Sequence, residues 1–156
     1  MTNKSNITQW KAIAITTLIA GILDLTAACI HAWIINGTIP NQLLAYIASG
    51  VWGNSAFHDG FMILFVGLIF HFLIVFACVF CFFWIFPRWT LFQHSLILNA
   101  FFIGIVAWLI TTQIVVRFSK IPSQEFNFSN ALISISILIV CIGFPIAYAA
   151  KKFNES

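Results

Sequence analysis

Charged side chains are the scarcest feature of this sequence. Only 7% of its 156 residues are Asp, Glu, Lys or Arg, whereas soluble globular domains carry about 25%. The chain therefore lacks the basic patch that marks a nucleic-acid-binding protein, and its apolar runs lack the polar stripe that a soluble helical bundle turns toward water. We expect no nucleic-acid partner and no ordinary soluble core.

A cysteine pattern that would carry chemistry is also missing. All four cysteines lie in apolar runs, and Cys78 and Cys81 form a single C-x-x-C with no second pair. This pattern predicts no disulfide framework and favours helix packing over a redox or metal role. The sequence also contains no nucleophile–base pair and no phosphate-binding loop. It therefore favours a non-enzymatic protein, with a membrane-embedded enzyme as the weaker alternative.

Apolar residues, at 62% of the chain, are what the sequence has in abundance. Four apolar runs reach the roughly 20 residues that a helix needs to cross a bilayer. They lie at residues 12–35, 61–86, 96–116 and 131–150. We predict an all-α fold: an integral membrane four-helix bundle, formed by residues 1–156 as a single transmembrane domain with the lipid bilayer as its surroundings.

A shorter helix is predicted in the first connection, at residues 40–49. Pro40 is suited to the first helical position, and Leu43, Leu44 and Ile47 share one side of the helix. About ten residues cannot span a bilayer, so this helix is expected to be interfacial or re-entrant on the outer face.

The basic residues predict how the four spans are oriented. Five of them fall on one side of a four-pass arrangement and two on the other. The five are Lys4, Lys11, Arg88, Lys151 and Lys152, and the two are Arg117 and Lys120. Because basic residues are enriched in cytoplasmic segments, both termini are expected in the cytoplasm.

Asp24 is the one carboxylate at the centre of an apolar run. Such a charge costs roughly 2.5–3.5 kcal/mol in lipid unless it is paired, protonated or turned inward. Counted from opposite sides of the bilayer, Asp24 lies about 18 Å deep and His71 about 15 Å deep, near the middle of a core about 30 Å thick. We therefore predict that Asp24 and His71 form a polar pair at the midplane.

Two interpretations of this pair remain open. It could be a proton relay or cation site, because ionisable residues inside a membrane are functional by default. It could instead be a clasp between two helices, worth about 1 kcal/mol. The sequence favours the clasp, since the phenylalanine-rich second span offers no obvious path for water.

A second set of polar residues is predicted near the outer surface. It consists of His31, His58, Asp59 and Gln113. Imidazole and carboxylate groups could bind Zn²⁺ or Cu²⁺ there, although the spacing matches no metal-ligand pattern. Binding of a metal or of haem is therefore the alternative function, and the sequence identifies neither the metal nor any other cofactor.

Short motifs spread over most of the chain resemble a family of small four-pass bacterial inner-membrane proteins. The matching stretches are AGILD (20–24), IASG (47–50), AFHDG (56–60), GLIFHF (67–72) and GFPIAYAAKK (143–152). The resemblance implies four passes and a location in the bacterial inner membrane, and it includes Asp24 and His71 in its pattern. It departs at His58-Asp59-Gly60, where the family has two glycines after a variable or acidic residue, and it implies no activity.

These observations predict a non-enzymatic membrane protein. It would act as an accessory subunit of a larger membrane complex or as a small transport or channel-like unit, with homo-oligomerisation as one route to a channel.

Overall fold

The computed structural model describes the backbone of residues 2–57, 60–88, 95–115 and 127–154. The chain is almost entirely helical, and these ranges contain no strand, which confirms the all-α prediction. The helices are α1 (Thr2–Asn36), α2 (Pro40–Trp52), α3 (Phe61–Ile85), α4 (Leu96–Leu109), α5 (Phe128–Leu138) and α6 (Phe144–Asn154). 3₁₀ turns follow α2 (Gly53–Phe57) and α3 (Phe86–Arg88), while π-helical turns extend α4 (Ile110–Val115) and join α5 to α6 (Ile139–Gly143).

Three helical segments are long and apolar enough to cross a membrane: Thr8–Asn36, Phe61–Arg88 and Phe128–Asn154. The remaining predicted span, at 96–116, is shorter, because its apolar helix covers Leu96–Thr112. That length is about 25 Å at 1.5 Å per residue, compared with a hydrocarbon core of about 30 Å. Three of the four predicted spans therefore have the expected length.

The ends of the first two helices differ from the predicted boundaries. α1 begins at Thr2 rather than at residue 12, because neither proline nor glycine interrupts the polar residues before the apolar run. α2 begins at Pro40 as predicted, and the Gln42 side-chain oxygen accepts a hydrogen bond of 3.1 Å from the Ile39 N–H. It continues past residue 49 to Trp52 and ends at Gly53, whose φ of 68° suits glycine.

α1 and α3 pack closely and run antiparallel. Gly21 makes the approach possible, because a Cβ there would lie 2.4 Å from a ring carbon of Phe72. Further along, Trp10 stacks on Phe80 with ring centroids 5.7 Å apart. Between these two contacts the residue number falls along α1 while it rises along α3, so the two helices have opposite directions.

Glycines also bring α4 against the last helical segment. A Cβ at Gly143 would lie 2.2 Å from the backbone oxygen of Ala100, and one at Gly104 would lie 2.4 Å from the Ile139 side chain. Small residues at such crossings are the usual means by which membrane helices associate. α4 thus packs mainly against α5, α6 and the turn between them, and it contacts α3 at few positions.

One buried core links these segments. It contains residues of α1, α3, α4 and α6, among them Ile13, Val79, Ile103 and Ile146. α2 packs against α3 outside this core, where a Cβ at Gly67 would lie 2.1 Å from the backbone oxygen of Leu44. The helices therefore meet around a space that α2 partly covers.

Candidate functional site

A cavity of about 420 Å³ lies between the helices. Its wall includes residues from α1, α2, α3, α4 and α5 and from both π-helical turns, and most of them are apolar. The polar side chains of the wall are Asp24, Tyr46, His71, Cys78 and Thr111. A mostly apolar cavity with a few polar groups is the usual form of a small-molecule site.

His71 joins α3 to α1 through a backbone group. Its side chain is 9% exposed, and its Nε2 lies 3.0 Å from the carbonyl oxygen of Gly21. A carbonyl oxygen can only accept, so Nε2 carries the hydrogen and donates it. In the neutral ring this leaves Nδ1 without a hydrogen, as an acceptor.

Asp24 follows Gly21 by about one helical turn. It lines the cavity together with His71, and the two side chains are close enough to interact electrostatically. No hydrogen bond joins Asp24 to His71 or to another residue that the structure describes. The packing of Phe72 on Gly21 sets this register, which brings His71 opposite Gly21 rather than opposite Asp24.

The two π-helical turns border the same cavity. Thr111 belongs to the turn Ile110–Val115, and Ile142 belongs to the turn Ile139–Gly143. In the second turn the Phe144 N–H donates to the Ile139 carbonyl five residues earlier. Pro145 has no N–H and so cannot donate an α-helical hydrogen bond. The missing donor is a local cause of this π-helical turn. Single π turns inside helices occur frequently at functional sites.

Tyr46 is a wall residue that the sequence analysis did not single out. The face of α2 that lines the cavity consists of Leu43, Tyr46, Ile47, Gly50 and Val51. Counted from Leu43, their spacing of three, four, seven and eight residues is that of one helical face and could have identified Tyr46. Burial raises the pKa of the Tyr46 phenol above its ordinary value, so this group stays neutral at physiological pH.

A second apolar cavity, of about 330 Å³, lies between α3 and α4. It shares Ile74, Cys78 and Ala107 with the central cavity. Its position follows from the sparse packing of α4 on α3. The two cavities together extend from Asp24 to the exposed side of α3, where Cys81 lies.

The predicted outer polar set falls largely outside the described residues. His58, Asp59 and the side chain of Gln113 lie in the parts of the chain that are not described. His31 is half-buried, and its Nε2 is buried without a hydrogen-bond partner among the described groups. The Oγ1 of Thr17, on the same face of α1, is in the same situation. The convergence of the four outer residues therefore stays a prediction.

Potential metal ligands are dispersed in the described part of the chain. No group of three or more His, Cys, Asp or Glu side chains there is arranged to hold a metal ion. The C-x-x-C pair is divided, since Cys78 lines both cavities while Cys81 lines only the second. The cysteines that the structure describes are free thiols.

Comparisons of the chain with protein-family models, with curated proteins and with solved structures found no match.

Proposed function

We propose that the chain is a four-pass integral membrane protein of the bacterial inner membrane with both termini in the cytoplasm. The apolar helices support this, because large side chains stand exposed on them: Trp33 is 66% exposed, Phe61 70% and Met62 77%. Apolar patches of this extent are rare on soluble proteins. The segment Leu96–Thr112 would be the remaining pass, since a bilayer thins locally around a span that is a few ångströms short.

We further propose that the central cavity is the ligand site of a small transport unit. The observation that carries this proposal is the Asp24 carboxylate, which faces a mostly apolar cavity without a described hydrogen-bond partner. The interhelical hydrogen bond that a clasp requires is made by His71 to the Gly21 backbone and does not need Asp24. Placing a carboxylate at the centre of a membrane-spanning helix costs roughly 2.5–3.5 kcal/mol. Because Asp24 makes no described bond between helices, binding of a ligand or a proton is the best explanation for its position.

Thiol accessibility tests the transport role. Two variants each keep one native cysteine of α3, with the remaining cysteines replaced by alanine. One keeps Cys78 in the cavity wall, and the other keeps Cys81 on the side of the helices that would face lipid. Both are reconstituted in liposomes and treated with a membrane-impermeant cationic thiosulfonate, first from outside and then from inside. A transport cavity must open to water on at least one side, so Cys78 is expected to be modified and Cys81, covered by lipid, is not.

Labelling of each variant with N-ethylmaleimide after denaturation verifies that both thiols are intact. If Cys78 reacts no faster than Cys81 from either side, the cavity does not open to water and the transport role is wrong.

A further inference from the structure

We propose that the central cavity binds a lipophilic primary ammonium ion, with Asp24 as its counter-ion. The inference rests on the proposed function, because it names the ligand class of the same site. A small aryl-alkyl amine fits the chemistry of the wall.

The composition of the wall selects this class of ligand. Asp24 supplies one carboxylate, while Tyr46 and Phe70 supply aromatic rings and most other wall residues are aliphatic. An ammonium group is attracted both to a carboxylate and to the faces of aromatic rings. Cavities of about 300–1,000 Å³ hold small organic molecules, and the observed volume of about 420 Å³ lies at the lower end of this range.

The second cavity provides a route suited to a lipophilic molecule. It adjoins the central cavity through Ile74, Cys78 and Ala107 and lies between α3 and α4. An amine with an apolar body partitions into the bilayer, and it could reach Asp24 between these two helices without crossing the buried core. An inorganic cation would have no comparable path, because the wall of the second cavity is apolar.

Binding of phenethylamine to the purified full-length chain in detergent tests the ligand class. 2-Phenylethanol and 3-phenylpropionate serve as the neutral and anionic analogues. Isothermal titration measures the affinity for each compound. We expect saturable binding of the amine alone. The amine is a cation at neutral pH, because alkylammonium groups titrate near pH 10, as lysine does.

Two substitutions separate the roles of the pair. Asp24→Asn should abolish amine binding. His71→Gln retains a donor for the Gly21 carbonyl, so it should keep this contact between the helices and still bind the amine. Glu125→Gln removes a carboxylate outside the described residues and should behave as the unmodified chain.

Equal binding of the alcohol and the amine would overturn the ammonium assignment, and this comparison needs no variant that might fail to fold. This result leaves the accessibility of Cys78 unchanged, so failure of this inference is distinguishable from failure of the transport role.

Discussion

The absence of a direct bond between Asp24 and His71 is testable by a double-mutant cycle. The variants are Asp24→Asn, His71→Ala and their combination. His71→Ala removes the hydrogen bond to Gly21, and interhelical hydrogen bonds in membranes average about 0.6 kcal/mol with a maximum near 1.7. The loss of the buried ring adds to this cost. Asp24→Asn removes no described hydrogen bond, so by itself it should be neutral or slightly stabilising.

The coupling energy of the cycle distinguishes the two interpretations of the pair. Directly bonded residues couple by about 0.5–3 kcal/mol. Since His71 donates to a backbone oxygen instead, we expect a coupling energy of less than about 0.5 kcal/mol at pH 8.

Thermal unfolding in detergent, followed by tryptophan fluorescence, provides the measurement. For a chain of this size, about 1 kcal/mol corresponds to roughly 2–4 °C in Tm. A non-additive change larger than about 4 °C at pH 8 would mean that the carboxylate and the ring are bonded directly, and the unpartnered carboxylate would then be wrong.

Three further substitutions test the packing and the cavity. Gly67→Ala should lower the unfolding free energy by about 1–3 kcal/mol, because the new Cβ meets a backbone oxygen of α2. Gly21→Ala should lower it less, because the new Cβ meets the ring of Phe72, which can rotate. Equal Tm values for both variants and the unmodified chain would contradict this difference. Ala28→Leu fills part of the cavity wall and should weaken phenethylamine binding at least tenfold, whereas Ala14→Leu on the exposed face of α1 should leave it unchanged. Tyr46→Phe keeps the aromatic face and should preserve the amine affinity. Tyr46→Leu should reduce the affinity about 3- to 30-fold, as expected for a cation–π contribution of about 0.5–2 kcal/mol. The same loss in both variants would assign the effect to the hydroxyl.

The helical period places the small and polar residues of α1, among them Gly21, Asp24 and His31, on one face, but it could not predict the register between helices. The small and polar positions around Asp24 lie on the face that contacts α3, and counting residues placed Asp24 and His71 at similar depth. Both line one cavity. The offset of one turn depends on how Phe72 rests on Gly21, which is a property of two side chains in contact and leaves no trace in the spacing of either helix.

The sequence could not predict the π turns or the short helix of the third span for a related reason. A regular period of 3.6 residues assumes α-helical hydrogen bonds throughout, and a π turn breaks that period without changing the composition. Pro145 gave a local hint, since it removes a donor just after Ile139–Gly143. Nothing comparable marks Ile110–Val115, so the shorter α-helical part of the predicted span at 96–116 could not be anticipated.

The one-turn offset also explains how packing and ligand binding can coexist in so small a protein. A shift of α1 by about 4.5 Å would bring the Asp24 carboxylate opposite the His71 N–H, and the pair would satisfy itself. The cavity would then lose its carboxylate acceptor to a structural bond. With Gly21 opposite His71, a backbone oxygen orients the ring, which leaves the carboxylate for a ligand. The close contact at Gly21 therefore does more than join two helices, because it determines which of the two polar side chains is used for packing and which remains reactive.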